Sequence, residues 1–261
     1  VALAVYSALT AWMTWPLARD PARLGLPFAD AYVNAWSLAW VARQAVRDPV
    51  HLFDSNAYYP HLRSLAYAES LLPQSLQAAA VILPGGPPLL AYNLVLLATF
   101  PLSGLGALLL ARELGASRAG AFLAGLAYAF NTYRFDHMVH IQALSAQWFP
   151  FAILALKRSL ERPAWRRLAL LVVFSVAQGL SSGYYALLLG PALLVTLLFY
   201  GRAGRRGGSL GRVSAALALA AGLVFLGLLP QRLMQIEHGL SRGRGDALHW
   251  SARWSSYLDP G

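Results

Sequence analysis

The chain reads as an all-α protein: a polytopic bundle of about seven transmembrane helices, with surface helices in a long first outer loop. Three observations predict this. Of its 261 residues, 57% are hydrophobic and only 12% charged, about half the charged share of a soluble domain. Six stretches, 1–18, 70–111, 119–133, 137–156, 168–201 and 213–231, contain no Lys, Arg, Asp or Glu. Three short turns between them carry nearly all of the net charge of +10. This composition excludes an ordinary water-soluble enzyme, a disordered segment and a polar nucleic-acid-binding domain. The absence of Cys excludes disulfides, a thiolate zinc site and a Cys nucleophile.

Loop charge sets the order of the spans. The turns holding Arg112, Glu113 and Arg118, then Lys157 to Arg167, then Arg202 to Arg212 are basic, and the positive-inside rule places all three in the cytoplasm. An even number of crossings must separate them. The run 168–201 is therefore a hairpin broken at Gly179–Gly183, and 119–156 is a hairpin turning near Arg134–His140. Pro84-Gly85-Gly86-Pro87-Pro88 stops any helix, so 70–83 becomes a short helix on the membrane surface and the crossing starts at Leu89. The expected spans are roughly 1–17, 89–110, 119–133, 140–156, 167–180, 183–200 and 213–230. Val1 already lies in an apolar run, and the chain stops at Asp259-Pro260-Gly261 without a closing helix. The reading is of a fragment, residues 1–261 being the N-terminal part of a longer transmembrane domain truncated at both ends.

All six histidines and nearly all the acids then fall on the outer side. In the first outer loop, 18–87, residues Ala31–Val46 have helical spacing, with Tyr32, Trp36 and Trp40 on one face. Such a face suits the headgroup layer, a reading favoured over sugar stacking. Asp30 stands at the start of this helix. There it is either an N-cap or a catalytic carboxylate under aromatic cover, where partial desolvation makes a stronger base; the pattern alone favours the cap. The segment His51–His61, with Tyr59 and His61 as candidate substrate contacts, is compatible with lining a polar cleft or with packing the loop onto the span ends. The turn Arg134–His140 is the densest ionisable cluster in the chain. Asp136, His137 and His140 would share a helical face and form a reasonable ligand set for zinc or manganese, with Arg134 beside them for a phosphate. A hydrated turn with a local Asp–Arg or Asp–His pair explains the same spacing, and spacing alone favours it.

Several motifs resemble a known family: Leu-Phe-Asp-x-Asn-x-x-Tyr-Pro-His (52–61), Ala91-Tyr92-Asn93, Ser-Gly-Leu-Gly-Ala (103–107) and Phe-Asn-Thr-Tyr-Arg-Phe-Asp-His-Met-x-His-Ile-Gln (130–142). In layout the chain resembles bacterial membrane proteins of the GT-C glycosyltransferase superfamily, relatives of protein O-mannosyltransferases and the lipid A aminoarabinose transferase, and also YfhO-like membrane proteins. The resemblance implies an enzyme of the bacterial inner membrane with its active face outward. It would move a sugar from a polyprenyl-phosphate-linked donor to an acceptor, and its partners would be the bilayer and that donor, with no nucleic acid. Asp30 matches the general base, Arg134 a phosphate contact, and Asp136, His137 and His140 the position of a divalent metal. Asp30 is followed by Ala31, where several members have paired acids. The competing expectation is a lipid or solute transporter, or a non-catalytic membrane component of envelope assembly. Transporters place ionisable groups near the midplane, whereas here they gather at one end.

Overall fold

The computed structural model describes residues 1–27, 29–206, 209–240, 243–249, 251, 253 and 254, with the side chains of 202–206, 246 and 247 left aside. The terminal Asp259-Pro260-Gly261 lies outside the described residues. Among them no strand occurs, and the helices are α1 (Ala2–Met13), α2 (Ala29–Arg47), α3 (Leu72–Ile82), α4 (Pro88–Glu113), α5 (Arg118–Ala129), α6 (Thr132–Asp136), α7 (Ile141–Leu144), α8 (Trp148–Glu161), α9 (Trp165–Ser181), α10 (Gly183–Arg206), α11 (Leu210–Glu237) and α12 (Arg244–His249). Both helices expected in the first loop are present, as α2 and α3. The proline–glycine run separates α3 from α4, and Ser182 separates α9 from α10.

Among the described residues three helices are long and apolar enough to cross a membrane: α4 and α11, each with mean hydropathy 2.2, and Gly183–Gly201 of α10 at 1.7. Seven spans are not supported. Helices α5, α8 and α9 have 12, 14 and 17 residues. At 1.5 Å per residue they reach about 18, 21 and 26 Å, short of a hydrocarbon core of about 30 Å. The error lies in equating a charge-free stretch with a helix. Asn131 accepts from the Arg134 N–H and restarts the chain as α6, and the expected span 140–156 is interrupted at Ser145–Gln147.

The charge partition read from the sequence has a structural counterpart in the two ends of the bundle. At the arginine-rich end, Glu113 of α4 accepts from Arg158 at 2.6 and 2.8 Å and lies 3.5 Å from Lys157, which also bonds Glu161 at 2.6 Å. The Ser209 hydroxyl donates to the Leu160 carbonyl. At the other end the first loop is tied to the rest of the bundle: Gln74 donates to the Ser181 carbonyl, Glu69 accepts from the Gly183 N–H, Arg63 pairs with Glu237, and Gln231 donates to the Ala68 carbonyl.

Two apolar clusters fill the bundle. One joins α2, α3, α4 and α7 around Leu38, Ile82, Leu96 and Phe100; the other joins α8 to α11 around Leu156, Leu171 and Leu193. The small residues of Ser103–Ala107 explain how α4 can be surrounded. A Cβ on Gly104 would meet the Tyr6 ring of α1 at 2.8 Å, and one on Gly106 would meet Pro150 of α8 at 2.8 Å. Opposite Gly104, a Cβ on Gly125 would lie 2.6 Å from the Gly104 carbonyl oxygen. Tyr6 fills the remaining space and donates its hydroxyl to the Phe122 carbonyl, stacking on the Phe122 ring at 5.3 Å.

Candidate functional site

The break between α7 and α8 positions the site. A helix interruption inside an apolar bundle leaves carbonyls that must find donors. Four consecutive carbonyls each accept one from a different helix. Tyr185 of α10 donates to Ala143 at 2.7 Å, Arg134 of α6 to Leu144 at 2.9 Å, Gln178 of α9 to Ser145 at 2.8 Å, and Tyr128 of α5 to Ala146 at 2.9 Å. Arg134 also donates to the Thr99 hydroxyl at 2.9 Å and lies over the Phe100 ring at 4.7 Å. Thr99 is about 21 Å along α4 from Glu113 and about 17 Å from Pro88. The Arg134 guanidinium therefore reaches the middle of α4, while the turn before His140 lies nearer the start of that helix, at Tyr92.

This geometry removes Arg134 from the surface. It is 3% exposed, and its guanidinium donates to a backbone carbonyl and a threonine and lies over an aromatic face, with only Nε buried without a partner. The expected phosphate contact is instead the clamp that shapes the broken helix. Spacing could not reveal this, because its partners lie 10 and 35 residues away.

Asp30 and His140 are brought together. The Asp30 carboxylate lies 3.3 Å from His140 Nε2, although 110 residues separate them in the chain. Helix α2 begins at Ala29, so Asp30 is inside its first turn, where the helix dipole favours a carboxylate. Its side chain is 62% exposed, so the aromatic cover expected from the sequence does not lie over it. Two buried side chains hold this corner. Tyr92 donates to the Val139 carbonyl at 3.3 Å, and the Asn93 amide donates to the Pro21 and Leu24 carbonyls at 2.8 Å each. The Ala-Tyr-Asn motif thus ties the chain before α2 and the turn before His140 to one turn of α4.

His140 opens onto a cavity of about 750 Å3 shared with His137, Tyr133, Gln142, Tyr184 and Tyr185. His140 Nδ1 and Gln142 Oε1 are buried there without hydrogen-bond partners. Such atoms call for water or a polar ligand. His137 stacks on Tyr133 with ring centroids 4.1 Å apart, and its Nδ1 lies 3.0 Å from the Tyr133 carbonyl. A carbonyl only accepts, so Nδ1 carries the proton and Nε2 is left for a ligand. Leu188 of α10 lines the same cavity, and its neighbours Leu187, Leu194, Val195 and Leu198 are exposed apolar residues. One wall is therefore polar and the adjoining helix face is oily.

The remaining candidates lie elsewhere or are turned outward. The Asp136 side chain is 83% exposed and lies 3.5 Å from His137 Nδ1, the local pair that spacing allowed. Among the described residues no three His, Asp or Glu side chains are grouped to hold a metal ion. Tyr59 is 93% exposed. His61 belongs to a different cluster, in which the Tyr67 hydroxyl lies 3.3 Å from His61 Nδ1 and 3.4 Å from His238 Nε2. The segment between splits its roles: Asp54 accepts from the Arg63 N–H and Ser55 bonds Ser64, which is loop packing, while Asn56 lines a second cavity beneath the Trp36 N–H. Sequence reasoning missed Gln142, Gln178, Tyr128 and Tyr185. Their only signal was polarity inside otherwise apolar stretches.

Glu69 is a further loop carboxylate with a defined task. Burial pushes its carboxyl above the usual range, against the opposing pull of the Gly183 N–H and the Ser182 hydroxyl. It closes the N-terminus of α10 beside the cavity wall. Searches against protein-family models, curated proteins and solved structures match none of them to this chain.

Proposed function

We propose that the chain forms the transmembrane part of a glycosyltransferase that moves a sugar from a polyprenyl-phosphate-linked donor to a hydroxyl acceptor, with Asp30 as general base. The observation that carries this reading is the Asp30–His140 pair at the edge of a recessed polar cavity whose neighbouring helix face is apolar. A lipid-linked sugar has the matching shape: a polar head for the cavity and a hydrocarbon tail for the exposed face of α10. In the reaction, the Asp30 carboxylate takes the proton of the acceptor hydroxyl. The hydroxyl oxygen bonds the anomeric carbon, and the bond from that carbon to the phosphate oxygen breaks, with its electron pair leaving on the polyprenyl phosphate. The leaving group gains negative charge, and His137 Nε2, once protonated, is the cavity donor suited to it. His140 holds the Asp30 carboxylate in place as the acceptor arrives. The bacterial inner membrane, with this end facing outward, is the setting that fits the basic turns at the opposite end.

The carbonyls freed by the helix break weigh against the transporter alternative. Transporters use such carbonyls as ion ligands, but here four side chains already occupy them. The test is Asp30→Asn in membranes from cells carrying the full-length protein, assayed by consumption of radiolabelled polyprenyl-phosphate sugar. Transfer is expected to fall by at least 100-fold with normal protein levels. Retained transfer removes Asp30 as the base.

A further inference from the structure

Helix α2 carries a second site at the end of the molecule where α4 begins. Along one face of α2, Tyr32, Trp36, Trp40, Arg43 and Arg47 follow one another at helical spacing. The indoles of Trp36 and Trp40 stack with centroids 6.4 Å apart. Trp40 donates to the Leu52 carbonyl at 2.9 Å and Trp36 to Asn56 Oδ1 at 3.2 Å, which fixes both rings. Together with Pro88 and Leu89, the first residues of the most apolar class of helix in the chain, these side chains enclose a cavity of about 540 Å3.

The charges in this cavity are one-sided. Arg43 and Arg47 are exposed, and among the described residues neither takes part in a salt bridge. The nearest acid in sequence, Asp48, is already engaged: it accepts from His51 Nδ1 at 2.7 Å, which holds the Asp48 carboxyl below its usual range. Two arginines one turn apart, outnumbering the single adjacent carboxylate of Asp48, form a fork for a phosphate. The ordered indoles provide the amphipathic shelf found at the headgroup level of a bilayer. Leu89 then leads away from the fork onto the apolar length of α4.

We infer that this face of α2 binds the phosphodiester headgroup of an anionic glycerophospholipid, with Arg43 and Arg47 on the phosphate, the Trp36–Trp40 pair against the glycerol backbone and an acyl chain running along α4. The site is separate from the Asp30–His140 cavity and stands or falls without the glycosyltransferase reading. The shared chemistry, a phosphate, could also come from free phosphate, and the experiment separates the two sources.

The full-length protein is reconstituted into nanodiscs of phosphatidylcholine with one fifth phosphatidylglycerol, extracted, and scored for co-retained lipid by native mass spectrometry. A detergent sample titrated with phosphatidylglycerol, or with inorganic phosphate alone, is followed by tryptophan fluorescence. Phosphatidylglycerol is expected to be enriched over phosphatidylcholine and to perturb the fluorescence, with an affinity that weakens in high salt. Arg43→Gln with Arg47→Gln is expected to reduce that affinity by about 30-fold. Both positions are exposed, so the variant folds. Equal retention of the two lipids, or an unchanged affinity in the variant, overturns the inference. Inorganic phosphate acting as strongly as the lipid reassigns the fork to a soluble phosphate and also overturns it.

Discussion

Replacing Arg134 by Met separates the clamp from the phosphate contact that the sequence suggested. The substitution keeps an unbranched chain over Phe100 but deletes donors to the Leu144 carbonyl and the Thr99 hydroxyl. Hydrogen bonds from a charged group contribute about 1.5–3 kcal/mol each, which puts the gross loss at about 3–6 kcal/mol. Met escapes the cost of burying a cation, and this returns part of that loss. A net destabilisation of about 2–4 kcal/mol is expected, or about 4–16 °C in apparent Tm for a chain of this size. The assay is thermal unfolding of the detergent-solubilised protein, followed by tryptophan fluorescence or by size-exclusion of a fluorescent fusion. Arg134→Lys should fall between wild type and Met, since one ammonium cannot span both partners in the same geometry. An unchanged Tm combined with weaker donor binding would refute the clamp and restore Arg134 as a phosphate ligand.

Three further outcomes follow from the packing and the loop charges. Gly125→Ala places its methyl 2.6 Å from a backbone oxygen that cannot swing away, so a loss of about 1–3 kcal/mol is expected in the same melting assay; an unchanged melt would mean that α4 and α5 are not in close contact. Because burial raises the Glu69 carboxyl, its stabilising contribution is fully present below the unfolded carboxylate value and lost as pH rises through the higher folded value. The Tm of the wild type should decline across that window, and Glu69→Gln should flatten the decline; identical profiles would show that Glu69 does not titrate on unfolding. Glu113→Gln removes the carboxylate shared by Arg158 and Lys157 at the basic end while Lys157 keeps Glu161, and about 1–2 kcal/mol should be lost. A shift within error in the melt would reduce the cluster to a surface pairing.

What could be read from residues and what could not divide along a physical line. Local signals sufficed where a breaker or a helical stripe was present. Pro84–Pro88 separates α3 from α4, the spacing of Tyr32, Trp36 and Trp40 marks α2, and the Arg-rich turns gather at one end while His137, His140 and Asp30 gather at the other. The distribution of charge also placed Asp30 and the Arg134–His140 turn on one side, which is the condition for their meeting. The span count failed because Ser145-Ala146-Gln147 contains no glycine or proline. Pro150, just past the break, has no N–H for the Ala146 carbonyl, and Tyr128, Arg134, Gln178 and Tyr185, scattered along the chain, satisfy the freed carbonyls. The role of Arg134 was hidden for the same reason: one side chain serves equally as phosphate ligand or carbonyl donor, and burial decides between them.

The two hydrogen bonds from the first loop to the α9–α10 corner have a mechanical consequence. Gln74 grips the last turn of α9 and Glu69 the first amide of α10, so the corner at Ser182 is held on both sides by one short stretch of chain. A hydrocarbon tail that wedges α10 outward must pull on that stretch, and α3 packs against α2 and α4 immediately behind it. Under the proposed function, widening the oily side of the cleft for a lipid-linked donor is thereby coupled to the scaffold that holds the carboxylate rim.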